Sequence, residues 1–183
     1  LTEIHTNAYA MQAIHAAAAL VQQRSSRSDV PLVQEKLLAA LGTTTQKNAV
    51  ERAIDLVWQL GLEFPDSGLV PEDDSGRIRL LQFLYTWATR VVPALHLQPS
   101  ESPARAYDLA TLSSWIALQR RCYAKSKGPF WNGRMPGAAE VVVAPFADLL
   151  LHSDAIPDSQ EYGSLAAWLA ALRALPQPAG TLV

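Results

Sequence analysis

The sequence predicts a mainly α protein with about six to eight helices. Apolar residues recur at helical spacing in several segments, and Ser, Asp, Gly and Pro stand where such segments begin and end. Alanine, the strongest helix former, is abundant in the first of these segments. A chain of 183 residues is long enough to bury a substantial core.

The first predicted helix covers residues 3–23, where apolar and alanine residues follow a helical period. Ser28 or Asp29 is expected to cap the second helix, because Pro31 then falls in its first turn and needs no N–H partner. Gly42 is expected to end that helix.

A third helix is predicted between the threonines at 43–45 and Gly61, with its apolar stripe through Val50, Ile54 and Leu60. Two short apolar runs follow, at 62–64 and 69–70, and they flank a turn-forming stretch. These runs predict a small β-hairpin.

Three helices and a hairpin, carried by "LLAALGTTTQKNAVERAIDLVWQLGLEFPDSGLV", resemble the order of elements in winged-helix domains. The resemblance covers roughly residues 3–73. It implies a winged-helix-like N-terminal half, whose third helix is the candidate for contact with a partner.

Two further helices are predicted at 75–92, capped by Asp74 or Ser75, and at 102–125. The valines at 141–143 favour an extended segment followed by a short helix. A final helix begins near Asp158. The apolar face expected for the 75–92 helix contains Ile78, Leu81, Leu84 or Tyr85, Ala88, and Val91 or Val92.

Proline and polar residues between the two long helices mark a linker at 96–102. It would divide the chain into helical subdomains at 1–95 and 103–183, of which the first is the winged-helix-like one. The alternative is a single compact unit.

Charged residues make up 17% of the chain, below the value typical of soluble domains, and the net charge is -2. So little charge suggests that part of the surface is covered by another protein or by a second copy. The absence of a membrane-spanning apolar run and the single cysteine, Cys122, predict a cytoplasmic protein that neither enters a membrane nor forms an internal disulfide.

No set of residues has the spacing that common enzyme chemistry requires. The four histidines lie in separate segments, and none forms the i, i+4 pair of a helical zinc site. Cys122 sits beside Arg121 but on the apolar flank of a helix, where a cysteine usually packs as a small hydrophobic residue. We therefore expect no catalytic residue, no metal and no cofactor, and an enzyme of unrecognised type is the third of three hypotheses for the function.

The segment "RRCYAKSKGPFWNGRMPG" at 120–137 is the candidate contact site. Cations at a helix end offset the helix dipole, which explains its first half but not the aromatic loop that follows. That loop anchors a protein partner, contacts an anionic ligand or nucleic acid, or fills a gap between helices. The candidate binding residues are Arg120, Arg121, Lys125, Lys127, Phe130, Trp131, Asn132 and Arg134.

The function expected from these features is that of a non-enzymatic helical adaptor or subunit of a larger assembly. It would bind partners through apolar helix faces and the 120–137 segment. The alternative is a nucleic-acid-associated protein, because amide and guanidinium side chains of the third helix can read base edges. The candidate nucleic-acid contacts are Gln46, Lys47, Asn48 and Arg52.

Overall fold

The computed structural model of this chain describes residues 3–42, 49–93, 129–131, 133–147 and 163–175. Within these ranges the protein is mainly α, as predicted, with six α-helices and no strand. The helices are α1 (Glu3–Arg24), α2 (Val30–Gly42), α3 (Ala49–Glu63), α4 (Asp74–Thr86), α5 (Ala138–Val143) and α6 (Gly163–Arg173).

Helix α1 is the central element, because it packs against α2, α3 and α5. Its buried stripe contains Ala10, Ile14, Ala17, Ala18 and Val21. These positions recur every three or four residues, which places them on one side of the helix. Three of the five are alanines, so neighbouring helices can approach the α1 backbone closely.

Arg27 holds the connection between α1 and α2 against the end of α3. Its guanidinium donates to the carboxylate of Asp29 at 2.6 Å and to the backbone oxygen of Glu63 at 2.9 Å. It also lies over the ring of Phe64, 4.5 Å from the centroid. The charged turn therefore fixes the relative position of three helices.

The hairpin predicted after α3 is not formed: among the described residues, 62–70 contain no strand. Helix α3 extends to Glu63, and a 3₁₀ turn follows at Pro65–Ser67. The hydroxyl of Ser67 donates to the Phe64 carbonyl at 2.6 Å and accepts from the Leu69 N–H at 3.3 Å. These bonds occupy backbone groups that a hairpin would need for its ladder. Gly68 continues the turn with a φ of 64°.

The N-cap of α4 lies one residue before the first of the two expected caps. Asp73, rather than Asp74 or Ser75, is the N-cap, and its Oδ1 accepts from the backbone N–H of Gly76 at 2.7 Å. At its other end the helix passes into a π-helical turn, Trp87–Val91. The N–H of Val92 bonds the carbonyl of Trp87, five residues back, so this turn holds one more residue than an α-helical turn.

The extended segment predicted at the valines is wrong, since Val141, Val142 and Val143 belong to α5. Every residue of α5 is buried, so the segment has no exposed face whose polarity could show a helical period in the sequence. Its first turn is fixed by Glu140, which accepts from the backbone N–H of Gly137 at 2.8 Å. The Glu140 carboxylate, at the third helical position, satisfies an N–H group at the helix start. This stabilises the helix against the β preference of the three valines.

Helix α6 packs against α5. It buries Trp168, Leu169 and Leu172, as the helical period of its sequence predicts. Buried residues of all six helices belong to one hydrophobic cluster, to which α2 contributes Val30. The described residues on both sides of the predicted linker therefore share a core. The linker itself, at 96–102, lies outside the described residues.

Candidate functional site

Trp131, the central residue of the predicted contact loop, lies in the core. Its side chain is only 5% exposed, and its ring centroid lies 4.2 Å from that of Phe83 and 6.5 Å from that of Trp168. Of the alternatives stated for this loop, the placement of Trp131 matches the filling of a gap between helices. The Trp131 side chain does not contribute to the exposed surface.

The backbone around Trp131 forms a tight turn. Phe130 and Gly133 exchange two hydrogen bonds, N–H to O at 3.0 and 3.1 Å. Gly133 has a φ of 106°, a conformation that side-chain-bearing residues rarely adopt. This turn leaves Phe130 half-buried and places Arg134 and Met135 at the surface.

Glu140 is the residue that shapes the loop, and sequence analysis did not single it out. Its Oε1 accepts from the backbone N–H of Trp131 at 2.6 Å and from the indole Nε1 of Trp168 at 3.0 Å. Its Oε2 accepts from Gly137. The side chain is fully buried. The available signal was its position three residues after Gly137, where an acidic residue closes the first turn of a helix.

Burial raises the pKa of Glu140 above its ordinary value, and the three hydrogen bonds oppose that shift. A buried carboxyl with a raised pKa is often catalytic. Here, however, each hydrogen bond of the carboxylate connects it to the protein's own N–H groups, and no part of it is exposed. Glu140 therefore orders the structure and is not positioned to exchange a proton with a substrate.

Arg24, the last residue of α1, also binds the backbone of this loop. Its Nη1 donates to the carbonyl of Pro136 at 2.8 Å and to that of Ser67 at 3.2 Å. Partial burial lowers the pKa of Arg24, and the negative charge of Glu140 acts in the other direction. Together, the two charges connect α1, the turn after α3 and the 133–137 backbone to α5.

The remaining predicted contact residues are not brought together in the described part of the chain. Arg52 is half-buried on α3, and Arg134 is exposed after the turn. The other candidates fall outside the described residues: Gln46, Lys47, Asn48, Arg120, Arg121, Lys125, Lys127 and Asn132.

Metal chemistry has no support in the described ranges, where no three of the His, Cys, Asp and Glu residues lie close enough to hold an ion. In the same ranges, no helix combines the length and apolarity that crossing a bilayer requires.

An apolar surface lies on α4, on the face that was expected to enter the core. Ile78 is 57% exposed, Leu81 44% and Tyr85 71%. They are spaced three and four residues apart, so they form one stripe, which we call the outer face of α4. The buried residues are Leu80, Phe83, Leu84, Trp87, Val91 and Val92, of which Leu84, Val91 and Val92 stood among the alternatives for the expected face.

The π-helical turn separates Val92 from the rest of the expected face. Ile78, Tyr85 and Val92 are spaced by seven residues, so an uninterrupted α-helix would align all three. The extra residue at Trp87–Val91 rotates the chain that follows by about 100°. Val92 is thereby buried, whereas Arg90, within the turn, is exposed.

Trp87 stands at the start of this turn and is fully buried between two aromatic rings. Its centroid lies 6.5 Å from that of Phe83 and 5.6 Å from that of Phe146. Its indole Nε1 has no acceptor among the described residues. The Trp87 side chain thus anchors α4 by apolar packing alone, which holds the outer face toward solvent.

Comparison of the chain with family models, with curated proteins and with solved structures gave no match, so the assignment of function depends on the geometry above.

Proposed function

We propose that the protein is a non-enzymatic helical interaction module that binds another protein through the outer face of α4. The observation that carries the proposal is the exposure of Ile78, Leu81 and Tyr85 along a single helical stripe. Single exposed apolar residues are common on protein surfaces, whereas several aligned on one helix are typical of a surface that packs against a partner.

The chemistry of the three side chains supports this role. Tyrosine is favoured at interfaces because it buries a large apolar ring and still has a hydroxyl for hydrogen bonding. Ile78 and Leu81 supply aliphatic surface beside it, and Gln82 is an exposed polar neighbour. An apolar centre with a polar edge is the usual composition of a protein–protein interface.

The turn that precedes α5 adds a smaller contribution to the proposal. Arg134 and Met135 are exposed, and both residue types are enriched in interfaces. Trp131 supports them from the core by packing against Phe83, which belongs to α4 itself. We include this pair of exposed residues as a secondary contact element of the proposed module.

Size measurement in extracts of cells that naturally make the protein tests the proposal. We expect the wild-type chain to migrate in gel filtration well above its 19.9 kDa mass. Leu81→Lys should move it to a smaller size, because a buried unpaired ammonium disrupts an apolar interface. Gln59→Lys, at an exposed position of α3, is the matched control and should leave the size unchanged.

Two results would contradict the proposal. One is a Leu81→Lys variant that keeps the wild-type size while its melting temperature is also unchanged. The other is a wild-type chain that migrates as a single copy in the extract. Adding a mixed duplex and a single-stranded oligonucleotide to the purified protein tests the nucleic-acid alternative, whose binding would weaken steeply with salt.

A further inference from the structure

We draw no further inference here: the strongest candidate, the apolar outer face of α4 with Ile78, Leu81 and Tyr85, belongs to the function already proposed, and nothing in the described part of the chain shows what covers it.

Discussion

Glu140 and Trp168 are joined by a buried hydrogen bond in which the indole Nε1 donates to Oε1 at 3.0 Å. The same oxygen accepts from the backbone of Trp131. Glu140 therefore connects α6 and the aromatic loop to α5 through one carboxylate. Its consequences for stability can be measured directly.

Replacing Glu140 with leucine should destabilise the fold strongly. The substitution leaves three buried N–H donors without an acceptor, and each costs roughly 1–3 kcal/mol. Glu140→Gln should cost less, because its amide oxygen can keep two of these bonds while its NH₂ group faces the N–H of Gly137. Urea unfolding of the wild type and both variants measures these free energies. Equal stability of all three proteins would contradict the role given to this carboxylate.

The stability contributed by Glu140 should depend on pH. Burial raises its pKa in the folded state, so the folded chain binds a proton more tightly than the unfolded chain does. The contribution is then fully present below the unfolded pKa of about 4.3. It is lost as the pH rises through the folded pKa. The difference in unfolding free energy between wild type and Glu140→Gln should therefore fall with rising pH.

Urea unfolding of both proteins at about ten pH values between 4 and 8 gives this difference. The titrations of all other groups are common to the two proteins and cancel when their free energies are subtracted. A difference that grows with pH would show that the three hydrogen bonds outweigh burial and that the folded pKa is lowered instead.

Trp131→Ala should lower the melting temperature substantially rather than affect binding alone. The ring is buried against Phe83 and Trp168, and truncating a buried Trp typically costs about 3–5 kcal/mol. Thermal unfolding followed by circular dichroism measures the change, and Met135→Ala in the same exposed turn is the control. An unchanged melting temperature would contradict the burial of Trp131 in the core.

Gly61→Ala should destabilise the packing of α3 against the segment after it. A β-carbon at position 61 would collide with the side chain of Val70, and overpacking of this kind costs about 1–3 kcal/mol. Val70→Ala removes that obstacle. In urea unfolding, the double variant should be more stable than the sum of the two single effects predicts. Simple additivity would show that the two positions do not meet.

The helices were predictable where one face is apolar and the ends carry signals. Helix α1 was expected at 3–23 and is found at Glu3–Arg24, and Gly42 ends α2 as expected. Pro31 and Gly42 act through local backbone geometry, which a short stretch of sequence contains. The mainly α fold follows from such signals.

The errors arose where contacts distant in sequence decide the structure. Helix α5 is helical because it is buried on all sides and its first turn is closed by Glu140. The hairpin was replaced by a 3₁₀ turn held by Ser67. The outer face of α4 was assigned to the core because α4 has two apolar stripes, and the ring contacts of Phe83 and Trp87 with residues distant in sequence decide which stripe is buried.

The candidate site was predictable only in outline. The sequence indicated that the aromatic loop mattered, but the buried carboxylate that orders it belongs to a segment expected to be extended. It also placed Ile78 and Leu81 on one apolar face, together with Leu84 or Tyr85. Which stripe of α4 enters the core depends on Phe83 and Trp87, whose rings pack with Trp131 and Phe146.

Gel filtration of Leu81→Lys in cell extract is the most direct test that the outer face of α4 binds another protein. We expect the wild-type chain to migrate well above its 19.9 kDa mass, and the variant to migrate at a smaller size because the ammonium group disrupts an apolar interface. Gln59→Lys, at an exposed position of α3, should keep the wild-type size. A Leu81→Lys variant that also keeps the wild-type size, with an unchanged melting temperature, would contradict binding through this face.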